Sequence, residues 1–478
     1  MGDMSGELCY LGAAEALRRF ADRSLSPVEL LDALYARANE VEPGLNAWSG
    51  RREEQAYVAA RASEARWAKD PDGALPLDGI PVAMKEEQPI AGESWQLGSL
   101  LLEHEVAHIT HPSYEALTGA GAVVHARTTT PEFSCAGYTH SRLWGQTYNP
   151  WNREISCGGS SGGSGVSLAA GTTTLATGSD IGGSIRIPAS LNGVVGFKPP
   201  HGRVPTLPPF NMDTYNHDGS MGRSVADVAL LQNVLAGSHP MDHVSMRFPP
   251  VLPTRPEPVH GMRIALARTI GDVPVEDDID ANTSAVADAL RAAGADVVEI
   301  EVPIPRAQFT LAALIHFGTI FGASVTAAAG DRADLLTDYA TWFSHHTAEV
   351  AAGHTVYEGL EMEAAIHATI AASMDGFDAM VCPTLTCGGW LAGETYLQRP
   401  LVVNGVELER YIQAALTLPF NIASKHPVLA VPSGIASNGV PTGVQIVART
   451  YDDLTAFRVG AALEAELGWW GDPGWRPA

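Results

Sequence analysis

Charge and cysteine are what this chain has least of. Only 18% of its 478 residues are charged, and five are cysteine. The cysteines, at 9, 135, 157, 382 and 387, are odd in number and scattered, which excludes a disulfide framework. Cys382 and Cys387 lack the paired spacing of a zinc site and have no histidine beside them. The adjacent His345 and His346 would point about 100° apart on a helix, unlike an i, i+4 ligand pair, so no metal is expected. Basic residues are scarce as well: 30 Lys and Arg against 54 Asp and Glu give a net charge of −24. With no basic block to oppose it, that balance argues against nucleic acid as a partner. No run approaches the roughly eighteen apolar residues of a membrane-crossing helix, so no membrane association is expected. The opening MGDMSGELCYLG has no basic segment followed by an apolar one, hence no signal peptide, and a cytoplasmic location is the default expectation.

What is present is a large core in the making. Hydrophobic residues make up 45% of the chain, the balance of an ordinary globular protein. Its length would allow two or three domains, although large α/β chains often form one unit. Residues 1–70 read as helices: Leu11 to Asp22, a second capped by Ser26 with Pro27 at its first position, and a third from Arg51 to Ala68. From Leu77 the pattern changes to short apolar runs between Gly and Pro. Ile80 to Met84 reads as a strand ending at Lys85. Pro112 to Gly119 and Gly121 to Arg127 read as a helix and strand of the kind that builds a parallel sheet. Arg263 to Ala267, Asp280 to Ala293 and Val297 to Val302 form a βαβ-like unit, and residues 306–375 read as helical.

The most informative stretch runs from Cys157 to Pro188, with nine glycines and six serines in 32 residues. It is no linker, because Val166 to Ala170 is an apolar run of the kind that starts a buried helix. Two Gly/Ser clusters, 158–164 and 182–184, flank that helix and a short strand. Glycine lets backbone approach another group closely, and exposed amides near a helix N-terminus hold negative charge. Serine hydroxyls beside free N–H groups are what acyl transfer needs: one serine attacks and the amides hold the oxyanion.

The run GGSSGGSG, followed after twelve residues by GSDIGGSIRIPA, closely resembles the amidase signature family. That family hydrolyses amides, and sometimes carbamates or esters, with a Ser–Ser–Lys triad. Its upstream lysine motif matches Lys85 in Ile80-Pro81-Val82-Ala83-Met84-Lys85-Glu86, and the separations of 75 and 24 residues to Ser160 and then Ser184 are those the family shows. The resemblance covers roughly residues 10–235 well and 376–467 moderately. It implies one large α/β domain, a central mixed β-sheet covered by helices on both faces. Residues 1–70 would form a helical segment packed on a signature domain of 71–478, with a variable substrate-shaping region at about 306–375. It makes Ser184 the nucleophile, Ser160 the bridging serine after a cis peptide, and Lys85 the base, with the amides of Ile181, Gly182, Gly183 and Ser184 as the oxyanion hole. The lysine would take a proton only in its neutral form. Two departures stand out: the usual Gly-Thr-Asp is Gly178-Ser179-Asp180, and the acid after the lysine is Glu86 instead of aspartate. Asp180 and Arg186 would hold the nucleophile loop.

The resemblance implies a small-molecule amide-like substrate and no cofactor, and it admits a homodimer. Tyr138, Trp144 and Phe210 are candidate substrate contacts, and the want of a clear charged pocket residue favours a neutral substrate, whether amide, carbamate or ester. Two other readings stay open. Gly159-Ser160-Ser161-Gly162-Gly163 fits Gly-x-Ser-x-Gly with Ser161 central, as in α/β-hydrolase esterases, although 150–157 make a poor strand. The chain also resembles the amidase component of an amidotransferase built from several different chains.

Overall fold

A computed structural model describes residues 4–469 and 472–477. The outermost positions of the two expected segments, 1–3 and 478, lie outside the described residues. Eleven strands form one mixed sheet, flanked by helices. In spatial order it runs Trp48–Arg51, Val123–Thr128, Pro81–Lys85, Leu175–Asp180, His217–Gly222, Val195–Lys198, Val428–Ile435, Pro441–Ala448, Ala379–Pro383, Arg263–Leu266 and Asp296–Glu299. Pro81–Lys85 pairs parallel with both of its neighbours, so its C-terminal end lies beside that of Leu175–Asp180. That edge, where parallel strands end, is where α/β sheets gather functional groups. Lys85 and Asp180 are the last residues of these two strands.

The first seventy residues are not wholly helical. Helices Ala13–Ala21, Pro27–Leu45 and Glu53–Lys69 are present, but Trp48–Arg51 is a strand that closes the edge of the sheet against Val123–Thr128. Four residues between two helices carry too short a pattern for a strand to be read. Ser26 caps the second helix in a full capping box with Glu29. Phe20, Leu30 and Leu34 bury against Ile80, Val82 and Leu175, fixing the segment onto the sheet.

Residues 306–373 supply four helices, Arg306–Thr319, Phe321–Ala329, Asp338–Ala352 and Val356–Ser373. By length and composition 306–329 is apolar enough to cross a membrane, which corrects the expectation that no such stretch exists. It is two helices broken at Ile320, and Phe309, Ala312, Phe321 and Val325 are buried within the protein.

Candidate active site

The site is built where the first Gly/Ser cluster crosses the ends of the two parallel strands. The helix Gly162–Ala169 is buried along its whole length. Its start lies so close to the chain at Ala47 and Thr129 that a Cβ on Gly163 would come within 2.5 Å of their backbone atoms. Glycine there is a condition of the close approach. The approach brings Ser160 over the end of Pro81–Lys85. Lys85 is fully buried, and its Nζ lies 2.6 Å from Ser160 Oγ, 2.7 Å from Ser179 Oγ and 2.7 Å from Glu87 Oε2. The Gly159–Ser160 peptide is cis. The Ser161 N–H donates to Ser184 O at 3.1 Å, tying the two Gly/Ser clusters together. Lys85, Ser160 and Ser184, far apart in sequence, are thus brought to one place.

Ser184 sits on a loop held from below. Arg186 and Asp180 are both fully buried and bidentate, Nε to Oδ2 at 3.0 Å and Nη2 to Oδ1 at 2.9 Å. Arg186 also donates to Thr417 O and Gln445 Oε1, both at 2.9 Å. Burial alone would raise the Asp180 carboxyl; the Arg186 charge, with hydrogen bonds from Arg186 and Asn421, reverses this and holds it well below the usual carboxylate range. Of the four amides expected to face an oxyanion, Gly183 N–H already donates to Asp180 Oδ1 at 2.8 Å. Those of Ile181, Gly182 and Ser184 have no acceptor among the described residues, and these three residues line the cavity above. Gly183 has φ +126°, and a Cβ there would come within 2.2 Å of Thr417 Oγ1, so the bend requires glycine.

Above Ser184 opens a cavity of about 150 Å³. Tyr138 lines it, stacked on His140 and edge-on to Tyr339. Trp144 is a correction: it is not among the lining residues, because it lies in the turn between short strands His140–Ser141 and Gly145–Gln146, its backbone bonded to Ser141 and Asn46. Phe210 is also set back, meeting the cavity only through an edge contact with Phe321. The walls are instead Phe317, Phe321, Tyr339, Trp342, Phe343 and Tyr411, most of them from the helical region. The sequence carries a signal for these: Phe317 and Phe321, and Tyr339 and Phe343, stand four apart, a helical spacing, although the break at Ile320 puts the first pair on two successive helices. Arg410 is the one charged side chain among the lining residues, and it is engaged by the Trp342 ring and the Glu409 carboxylate.

Glu87 escapes sequence reading. The turn that follows the strand is closed by Gln88 N–H to Lys85 O at 3.1 Å, which folds Glu87 back over Nζ. Glu86 instead accepts from the Gln96 and Leu97 amides, and burial pushes its carboxyl up to about 7. Ser161 is fully buried, with its hydroxyl spent on Ser179 O at 3.2 Å, and is not a lining residue. His346 stacks on Trp342 and meets Arg410.

This arrangement has counterparts. The family model described as Amidase matches residues 29–456. The A subunit of the glutamyl-tRNA(Gln) amidotransferase of Anaeromyxobacter sp. (strain K) is 30% identical over 500 aligned residues, covering 98% of each chain. Among solved structures, a bacterial aryl acylamidase of the amidase signature enzymes superposes with a TM-score of 0.89 at 26% identity, covering 98% of this chain and 99% of its own. The 6-aminohexanoate cyclic dimer hydrolase gives 0.82 at 27% identity, with 98% and 99% covered.

Proposed function

Because the chain belongs to the amidase family, whose members hydrolyse carbon–nitrogen bonds, we propose that it is a serine amidohydrolase for a small neutral amide with an aryl or other apolar part. Ser184 Oγ attacks the acyl carbon while its proton passes to Ser160 and from Ser160 to the Lys85 side. The carbonyl oxygen, now negative, is held by the amides of Ile181, Gly182 and Ser184; Gly183, committed to Asp180, shapes the loop. The tetrahedral intermediate collapses as the amine takes the proton back and the C–N bond breaks. Water repeats the sequence on the acyl-enzyme. A positioned base contributes roughly 10²–10⁴-fold and each oxyanion donor about 10²–10³-fold.

The observation that carries this reading is the 2.6 Å contact of Lys85 Nζ with Ser160 Oγ, one residue from Ser161, whose N–H donates to the carbonyl of the cavity-lining Ser184. The aromatic walls support an apolar substrate, since such surfaces give affinity through area removed from water. The test is hydrolysis of an aryl-amide panel, with one aryl carbamate and one ester, by wild type, Ser184→Ala and Ser161→Ala. Activity lost in Ser184→Ala and kept in Ser161→Ala supports the reading; the opposite pattern returns the nucleophile to Ser161.

A second reading, an amidase component working inside an amidotransferase complex, has the 30% identity to the Anaeromyxobacter protein behind it. Turnover of a simple aryl amide by the purified chain alone decides against a need for partners.

A further inference from the structure

The carboxylate against Lys85 is not explained by a triad of two serines and one lysine. Nζ has three oxygens around it, Ser160 Oγ, Ser179 Oγ and Glu87 Oε2, the number of N–H groups an ammonium carries. Glu87 Oε2 accepts in turn from the hydroxyls of Ser179 and Ser134, each at 2.8 Å. The Ser179 hydrogen is therefore directed at Glu87, and of the hydroxyls on Nζ only that of Ser160 is left to give the lysine a proton. An ammonium with three acceptors has nowhere to take such a proton unless it releases one. The one anionic acceptor among its three partners is Glu87.

Resting on the amidohydrolase reading above, we infer that Glu87 is the terminal proton acceptor of the relay, and that Lys85 and Glu87 work as one unit. As the bond from Ser184 Oγ to the acyl carbon forms, the Ser184 proton moves to Ser160 and the Ser160 proton to Nζ. A different proton leaves Nζ for Glu87 Oε2. The carbonyl oxygen gains the negative charge that Glu87 loses, and Lys85 is an ammonium before and after. On collapse the same protons run backward and the leaving amine is protonated as the C–N bond breaks. Glu87 touches Lys85 and not the reacting atoms, so it is a positioning and relay residue. The turn that holds it is fixed by Arg127, whose Nη2 donates to the carbonyls of Glu86 and Gln88 at 2.9 and 2.5 Å. The charged groups around Glu87 are Lys85, Glu86 and, behind the turn, Arg127 with Glu93.

The direction of a pH shift separates this from a lysine that works alone. Kinetics of the full chain on an aryl amide from pH 5 to 10 are compared for wild type, Glu87→Gln, Glu87→Asp and Glu86→Gln. If Glu87 takes the proton, Glu87→Gln lowers kcat about 10²-fold at neutral pH. Its acid limb moves to higher pH by a unit or more, because Lys85 must then lose a proton before it can act. Glu87→Asp keeps the acid limb near its wild-type position at reduced kcat. A limb that moves to lower pH with kcat unchanged or raised overturns the inference, since Glu87 would then only have held Lys85 charged. So does a uniform fall with no shift, the mark of a packing role, or a limb that moves in Glu86→Gln instead. If Glu87→Gln does not fold, judged by its thermal transition, Glu87→Asp decides: a displaced limb contradicts the relay. Ser184→Ala, measured alongside, keeps the two readings apart. Its activity would sink the amidohydrolase assignment, whereas its inactivity beside an unshifted Glu87→Gln profile would sink only the relay.

Discussion

Arg186 is a cation with no surface, and its work is to keep the Ser184 loop in one shape. Its guanidinium spends its donors on Asp180, Thr417, Gln445 and Asn421. A buried pair is costly to halve, because the remaining charge has lost its partner. Arg186→Leu is therefore expected to lower stability by about 3–5 kcal/mol in urea denaturation and to remove activity at temperatures where the chain is still folded. Gly183→Ala tests the same loop from its backbone: the φ of +126° and the Thr417 side chain both resist a Cβ. Loss of kcat together with a lowered thermal midpoint is the expected result, measured on the aryl-amide panel and by thermal denaturation. At this scale the sequence is informative for Lys85, Ser160 and Ser184, because widely spaced residues in one register carry a pattern. It is silent on Glu87, whose letter is that of any surface acid until the turn 85–88 folds it onto Nζ.

Helices decide what reaches the loop. The pairs Phe317/Phe321 and Tyr339/Phe343 bring rings to the cavity that Ser184 lines from three helices, Arg306–Thr319, Phe321–Ala329 and Asp338–Ala352, that pack on one another. Phe317→Ala is expected to raise KM for aryl amides roughly ten-fold or more with kcat little changed, because the bound ring then removes less apolar surface from water. The helix that carries Phe317 is pinned by His316, which stacks on Tyr215 and bonds to Asp213 at 2.7 Å and Glu363 at 3.1 Å. Burial alone would lower the His316 pKa, yet the hydrogen bonds and charges of Asp213 and Glu363 raise it from 6.5 to about 9. A folded-state value above the unfolded one gives stability that is complete below about pH 6.5 and lost as pH rises through about 9. The unfolding free energy in urea should fall between about pH 6.5 and 9.5 by on the order of 2–3 kcal/mol, and His316→Asn should remove most of that dependence. Helical periodicity makes these elements legible. The cavity walls are not, since a ring facing a cavity and a ring facing the core have the same spacing. Trp144 shows a related limit: nearness in sequence to the Gly/Ser loop does not put its ring at the cavity.

The whole molecule is a device for holding two strand ends and two Gly/Ser loops together. Residues from 29 to 456 fall within the family, and the eleven-stranded sheet joins elements from both ends of the chain. Its mixed α/β character is legible in the alternating strands and helices, while the strand Trp48–Arg51 and the order of the strands are not, because pairing partners leave no local trace. A self-contained site also predicts that activity in size-exclusion chromatography follows this chain without a second polypeptide. The central claim is that Ser184 becomes acylated, and it can be seen directly. An activated aryl ester is mixed with the enzyme, quenched in acid within seconds, and the digest is read by mass spectrometry. The account predicts the acyl mass on Ser184, absent in Lys85→Ala; an acyl group on Ser161, or hydrolysis with no acylated serine, would contradict it.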